Sequence, residues 1–199
     1  WFKSNYSAIA TYLEPYAEKA EKRCDKGDYW WELRACDYYD ELAKPKIVYP
    51  DIAKESRITF DKKGTVVGNT AYFMPIENHY LLGILNSKLI FMYFKRNAAV
   101  LGDADKGGRL RWFTQDVVKI PIRTIDFNKS AEKKMHDNMV QLVEQMLSLN
   151  KQLAEAKTGH EQTLMQRQID ATDKQIDKLV YELYDLTEEE IRIVEGGRQ

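Results

Sequence analysis

The last third of the chain carries two stripes of mainly apolar residues with the spacing of an α-helix. Within each stripe these residues recur at intervals of 4, 3, 4, 3 and 4 positions. The first stripe consists of Met135, Met139, Leu142, Met146, Leu149 and Leu153, and the second of Met165, Ile169, Thr172, Ile176, Leu179 and Leu183. A seven-residue repeat of this kind lies on one face of a helix. Each stripe therefore predicts a long helix that packs against another helix.

The segment KTGHEQ, residues 157–162, separates the two stripes. It contains a glycine, and Thr158 and Glu161 have the spacing of a capping box, which marks a new helix start. The simplest arrangement is an antiparallel hairpin with arms of about 35 to 40 Å, at about 1.5 Å per residue. The alternative is one long helix that dimerises with a second chain. Thr187 and Glu190 repeat the capping-box spacing and predict a short final helix.

The first two thirds of the chain show patterns typical of a small sheet with helices. Residues 5–23 have apolar positions at helical spacing behind serines and predict a helix. KPKIVYPDI, SRITFD and GTVVGNTAYFMPI are rich in β-branched and aromatic residues, and turn residues separate them, so they predict strands. YLLGILNSKLIFMYFK is apolar around its circumference and predicts one helix buried against that sheet. GGRLRW then predicts a flexible cationic turn that leads into a strand at KIPI.

Together these patterns predict an α+β fold. The expected fold is a small mixed, mainly antiparallel sheet with packed helices, followed by the long antiparallel helical hairpin. We expect the first domain to cover residues 1–125, and the hairpin with its short final helix to cover residues 126–199.

Charge is unevenly distributed along the chain, although its net value is only −1. Residues 44–123 contain 14 lysines and arginines against 7 aspartates and glutamates, while both flanking segments are acidic. A cationic segment inside a nearly neutral protein indicates a local anionic partner, and nucleic acid is the commonest partner of this kind. The alternative is a solvated lysine-rich surface.

Candidate catalytic chemistry is sparse. Cys24 and Cys36 have no cysteine or histidine at metal-ligand spacing, so we expect no disulfide framework, no metal site and a reduced, cytoplasmic protein. No phosphate-binding glycine loop or nucleophile elbow occurs. Pro50-Asp51 resembles the start of a nuclease metal site, but no acid-x-Lys follows at Glu55, so we interpret it as a strand end. No apolar run reaches the ~20 residues of a membrane span. Because the chain starts at Trp1, we expect it to be a piece of a longer protein.

Several segments in order resemble one known family. YWWELR, KPKIVYPDIA, LLGILNSKLIFMYFK, GGRLRW leading into KIPI, and TDKQIDKLVYELYDLTEEEIRIVE are together similar to the TaqI-like C-terminal specificity domain. That domain is the target recognition unit of adenine-specific DNA methyltransferases and type IIG restriction-modification enzymes. The resemblance implies a DNA-reading lobe followed by spacer-like helices. The Asn-Pro-Pro-Tyr type methyltransferase motif does not occur here, so this chain is expected to be non-catalytic and without a cofactor. The resemblance places catalysis, with S-adenosylmethionine and, for a nuclease, magnesium, in an N-terminal portion of the parent protein.

Candidate DNA contacts concentrate in the cationic segment. In GGRLRW, arginines can bind phosphate or a guanine edge, and the tryptophan can stack on a base. The alternative is that Trp112 and Phe113 belong to the core and that the arginines are merely solvated. The predicted DNA-binding residues are Arg109, Arg111 and Trp112, with weaker candidates Lys44, Lys46, Arg57, Lys95, Arg96 and Lys106.

The sequence therefore predicts recognition of double-stranded DNA. The expected partners are duplex DNA and the N-terminal methyltransferase or nuclease portion of the same parent chain, with no membrane, and the piece itself is expected to be monomeric. The competing hypothesis is a helical interaction module, in which the apolar stripes dimerise and the basic lobe is incidental.

Overall fold

The computed structural model describes residues 1–102 and 108–196. The chain forms two compact units, Trp1–Glu41 and Leu42–Gln199. None of the described helices combines the length and the apolar composition of a membrane-spanning segment.

The first unit contains short helical segments in place of the single helix predicted over residues 5–23. They are α1 (Phe2–Asn5), α2 (Ser7–Leu13), a 3-10 turn (Glu14–Tyr16) and α3 (Ala17–Glu21). Tyr6 interrupts the run with a non-helical backbone, and Pro15 lies in the 3-10 turn, where its missing N–H prevents a regular α-helical bond. Helix α4 (Tyr39–Leu42) follows.

The second unit begins with strands that form two small antiparallel sheets. The strands are β1 (Lys46–Pro50), β2 (Ile52–Ala53), β3 (Thr59–Asp61), β4 (Ala71–Met74), β5 (Val100–Leu101) and β6 (Arg109–Arg111). One sheet has the order β3-β1-β4 and the other β2-β6-β5. Only Asp51 separates β1 from β2, so one continuous segment contributes to both sheets.

The apolar run predicted as one helix forms two helices, α5 (His79–Asn86) and α6 (Lys88–Asn97). Ser87 breaks the run because its backbone is extended and its side chain accepts a hydrogen bond from the Ile90 N–H, which makes it an N-cap. Asn78 caps α5 in the same way. The predicted burial is confirmed, since Ile84, Leu85, Ile90 and Phe94 belong to the core that also contains Ile47 of β1.

The prediction of a strand at KIPI is wrong. The strand is Arg109–Arg111 itself, and the short helix α7 (Thr114–Val117) follows it. In place of a strand partner, a tyrosine side chain binds the backbone at the end of this segment. The Tyr184 hydroxyl donates to the Pro121 carbonyl at 2.7 Å and accepts from the Arg123 N–H at 3.0 Å.

The predicted hairpin is confirmed. Helix α8 (Ser130–Glu155) and helix α9 (Gly159–Leu183) pack together across a short link, and α10 (Glu188–Val194) follows. Both capping boxes, Thr158 with Glu161 and Thr187 with Glu190, are formed. The α+β class, with a mainly antiparallel sheet part and a helical pair, is likewise confirmed.

The hairpin shares the core of the sheet part. Met139 of α8 and Val180 of α9 are fully buried in one cluster with Ile47 and Leu110. Helix α5 approaches α8 closely at Gly83, where an added Cβ would lie 2.5 Å from Met139 Sδ. The hairpin is therefore packed against residues 42–123, which we call the lobe. The predicted domain division at residue 125 stays a prediction.

Lys88 at the start of α6 links this helix to α9 and α10. Its ammonium group lies 3.4 Å from Asp177 and 2.8 Å from Glu195, and its backbone N–H donates to Asp177 at 2.9 Å. The hydrogen bond from Lys88 holds the pKa of Glu195 below its usual value, whereas burial raises the pKa of Asp177. These contacts join α6 to the C-terminal helices α9 and α10.

Candidate nucleic-acid interface

Strand β6 presents two arginines on one face of the second sheet. Side chains alternate along a strand, and Leu110 and Trp112 point into the core with exposures of 2% and 0%. Arg109 and Arg111 therefore lie together on the opposite face, where Arg109 is exposed and Arg111 partly exposed. Register places Arg109 opposite Leu101 and Arg111 opposite Ile52.

The two arginines have different surroundings. Arg111 Nη2 lies 3.2 Å from Asp51 Oδ1, and its guanidinium lies 4.4 Å from the centre of the Phe113 ring. Arg109 has no ion-pair or hydrogen-bond partner for its side chain among the described residues. Arg111 is thus positioned by its neighbours, whereas none of the described residues forms an ion pair with Arg109.

Trp112 is a core residue. Its ring stacks on Phe94 with the centroids 4.0 Å apart, and the residue is fully buried. Its backbone N–H donates to the Asp51 carbonyl at 2.8 Å, which joins β6 to the link between β1 and β2. No part of the ring reaches the surface, so Trp112 is not part of the interface that we propose. Its contacts hold the sheet in place.

Lys46 is also enclosed. Its ammonium group donates at 2.7 Å to both the Leu42 carbonyl and the Asp61 carboxylate, and the side chain has no exposed surface. Burial opposes ionisation of Asp61, but the bonds from Lys46, Lys63 and Thr65 prevail and lower its pKa to about 2. Lys46 therefore stabilises the strand pair β1–β3, and it too is left out of the proposed interface.

The remaining predicted contacts lie at the surface or outside the described residues. Arg57 is exposed and pairs with Glu55 at 2.7 Å, a contact that solvent screens. Lys95 and Arg96 lie exposed in the last turn of α6, and Lys44 is exposed after α4. Lys106 lies outside the described residues.

The sequence prediction did not include three further lysines of this lobe: Lys54, Lys62 and Lys63. All three are exposed, and none has a side-chain partner in the described part of the chain. Lys62 and Lys63 lie in a turn that Asp61 fixes, because its carboxylate accepts from the N–H groups of Lys63 and Thr65 at 2.9 and 2.6 Å. The Asp-Lys-Lys-Gly run was the available signal, since an aspartate before a glycine favours such a turn.

The charged side chains of the lobe fall into two groups, those with an ion-pair partner and those without one. Between residues 42 and 123, six described cations lack a side-chain ion-pair partner in the described part of the chain: Lys54, Lys62, Lys63, Lys95, Arg96 and Arg109. Of the described carboxylates in the same segment, Glu77 alone has no such partner. The described surface of the lobe thus carries excess positive charge.

No metal centre is evident in residues 1–102 and 108–196, where no group of three His, Cys, Asp or Glu side chains is placed to hold an ion. The arrangement is suited to bind an anionic polymer by charge and hydrogen bonding.

The chain belongs to the family of the TaqI-like C-terminal specificity domain, whose family model matches residues 3–122. The resemblance drawn from the sequence is thereby confirmed.

Two curated relatives are similar over about two thirds of this chain. Type II methyltransferase M.BanIII of Aneurinibacillus aneurinilyticus is 27% identical over 139 residues, which is 65% of this chain and 23% of the relative. The type II restriction enzyme and methyltransferase RM.Eco57I of Escherichia coli is 26% identical over 128 residues, 64% of this chain and 13% of the relative. The chain therefore spans less than a quarter of either relative.

A solved structure shares the fold. The type IIL restriction-modification enzyme MmeI in complex with DNA matches with a TM-score of 0.59 and 14% identity, over 98% of this chain and 27% of that chain. At this identity the likeness shows the fold alone.

Proposed function

We propose that this chain is the DNA target recognition domain of a type IIG restriction-modification enzyme or an adenine-specific DNA methyltransferase. The observation that carries the proposal is the set of six exposed cations without ion-pair partners in the described part of the lobe, against one such carboxylate. Family membership supports the same function, because the family is a specificity domain.

Unpaired cations are the groups that favour binding to DNA. A lysine already paired inside the protein must lose that partner before it neutralises a phosphate, whereas an unpaired lysine only exchanges water and counterions. Release of counterions from the phosphates then supplies affinity that falls as salt rises. The pairing pattern therefore favours Lys62, Lys63 and Arg109 over Lys46.

The proposed contacts fall into two groups with different roles. Phosphate contacts hold a protein on the duplex, and contacts to base edges carry sequence information. Arg111 is proposed to contact a base edge. The proposed phosphate contacts are Arg109, Lys44, Lys54, Arg57, Lys62, Lys63, Lys95, Arg96 and the undescribed Lys106.

Catalysis is proposed to reside elsewhere in the parent protein. The relatives are named as methyltransferases and as a combined restriction enzyme and methyltransferase, and each is much longer than this chain. We therefore place S-adenosylmethionine binding, and magnesium binding for a nuclease, in the N-terminal portion of a cytoplasmic parent. The helical hairpin would join the recognition lobe to that portion.

The proposal is tested by titrating labelled duplex DNA with the chain at several salt concentrations. We expect binding at low salt that weakens steeply as salt rises, by about 0.9 logarithmic units of affinity per logarithmic unit of salt for each phosphate contact. An uncharged peptide nucleic acid duplex of the same sequence is the control and should not compete. Absence of binding at low salt, or binding that ignores salt, contradicts the proposal and favours the helical interaction module.

A further inference from the structure

Arg111 is held on two sides by groups of its own chain. Asp51 Oδ1 lies 3.2 Å from Nη2 on one edge, and the Phe113 ring lies under the guanidinium face. Arg111 Nε is buried, yet 27% of the side chain remains exposed. The accessible part of the guanidinium is therefore its terminal end.

Asp51 is fixed by its own backbone. Its N–H donates to the Thr70 carbonyl at 2.9 Å, and its carbonyl accepts from the Trp112 N–H at 2.8 Å. Asp51 stands at the single-residue link between the two sheets, and its side chain is only 18% exposed. The carboxylate is thus a rigid reference point for the arginine.

Asp51 and Arg111 form an ion pair but no hydrogen bond with each other. Asp51 Oδ1 and Arg111 Nε are both buried without a hydrogen-bond partner, although Oδ1 lies within ion-pair distance of Nη2. The ion pair therefore lacks the alignment of a hydrogen bond. A buried polar atom without a partner is uncommon in folded proteins and calls for an explanation. Charge attraction here holds the guanidinium in place while its terminal N–H groups remain available to a ligand.

We infer that Asp51 is a specificity-determining residue, which positions Arg111 to donate two parallel hydrogen bonds to the O6 and N7 acceptors of a guanine. This inference rests on the proposed function. An arginine that binds a base edge with two bonds must be held closely in position, and supporting groups provide that precision. The Phe113 ring adds a cation–π contact that fixes the tilt of the guanidinium plane. Arg109 has no such anchors among the described residues and suits a phosphate, whose position varies with DNA shape.

The experiment selects binding sites from a random duplex library with the 199-residue chain. Wild type is compared with Arg111→Ala and Asp51→Asn. Asp116→Asn is the matched control, because Asp116 is a carboxylate of similar exposure, 14%, that pairs with Lys119 at 3.1 Å and does not contact Arg111. Each guanine of the selected site is then replaced by 7-deazaguanine, which lacks the N7 acceptor, and affinities are measured.

We expect Arg111→Ala to lose roughly tenfold or more of the discrimination at one guanine. Asp51→Asn should reduce discrimination at the same guanine, with an unchanged dependence of binding on salt. Replacing that guanine by 7-deazaguanine should weaken wild type most, Asp51→Asn less and Arg111→Ala hardly at all. Asp116→Asn should behave as wild type.

Three outcomes contradict either the inference or the proposed function. If Asp51→Asn is folded by thermal denaturation and keeps the wild-type site while Arg111→Ala does not, Asp51 has no positioning role and the inference is wrong. If wild type binds no duplex, the proposed function itself fails. A purely structural role of Asp51 would lower the melting temperature and all affinities together, without changing the preference at one guanine, and would also overturn the inference.

Discussion

Lys46 and Asp61 form an ion pair of 2.7 Å across the neighbouring strands β1 and β3, and the lysine side chain is completely enclosed. The aspartate keeps 14% of its side chain exposed and also accepts backbone bonds from Lys63 and Thr65. Without Asp61, the enclosed Lys46 ammonium group would lose its counter-charge. Without Lys46, the Asp61 carboxylate would still have its backbone donors and some contact with solvent.

This asymmetry predicts unequal costs of removing either partner. Asp61→Asn leaves a buried ammonium group without its counter-charge, and loss of one partner of a buried pair costs about 3 to 5 kcal/mol. Lys46→Met should cost less, because Asp61 retains its backbone donors and some solvent. Urea unfolding of the two variants and wild type measures the difference. Equal costs would contradict the burial of Lys46.

The same pair predicts a pH dependence of stability. Asp61 has a folded pKa of about 2, below the value of about 3.9 for an unfolded aspartate. A lowered folded pKa contributes stability that is present above pH 4 and is lost as pH falls towards 2. The stability difference between wild type and Asp61→Asn should therefore narrow over that range. A difference that stays constant from pH 5 to pH 2 would show that Asp61 is not stabilised as its ionised form.

Gly83 allows α5 to approach α8. In Gly83→Ala the new methyl group would lie 2.5 Å from Met139 Sδ and 2.9 Å from Val143 Cγ2, both in side chains of the core. Overpacking of this kind costs about 1 to 3 kcal/mol, and thermal denaturation should detect it. Gly159→Ala is the matched control, because a Cβ there meets no atom within 4 Å. A neutral Gly83→Ala would mean that the two helices separate easily.

The chain is predicted to be a monomer. The stripe residues Met139, Leu149, Ile176 and Leu179 are buried within the chain, and no residue of either stripe is exposed. Sedimentation equilibrium at micromolar concentration should give 23.3 kDa. Twice that mass would favour the dimerising helical module.

Local signals predicted local structure well. The capping boxes at Thr158 and Thr187 depend on residues three positions apart, and both are formed. The two apolar stripes, with the break at residues 157–162 between them, were sufficient to predict the hairpin. Ser87 shows the limit of hydrophobic patterns, because the short polar stretch 86–88 within an apolar run ended one helix and began another.

Long-range pairing decided what the sequence alone could not. Lys46 looked like a surface cation because its partner, Asp61, lies 15 residues away on another strand. In RLRW the alternation was visible, but which pair faces inward depends on the neighbouring strands and on Phe94 beneath Trp112. Lys62 and Lys63, in contrast, lie in a local turn that the Asp-Lys-Lys-Gly run signals, and the sequence prediction missed them.

A matched charge-removal experiment tests whether DNA binds the cations of the lobe that have no ion-pair partner among the described residues. One variant carries Lys62→Ala, Lys63→Ala and Arg109→Ala on the lobe. The other carries Lys134→Ala, Lys151→Ala and Lys157→Ala, which removes three exposed hairpin charges that also lack a side-chain partner within the described residues. The slope of log affinity for duplex DNA against log salt should become shallower by about 2 to 3 in the lobe variant, since each lost phosphate contact contributes about 0.9, and stay unchanged in the hairpin variant. Equal slopes in the two folded variants would contradict such binding.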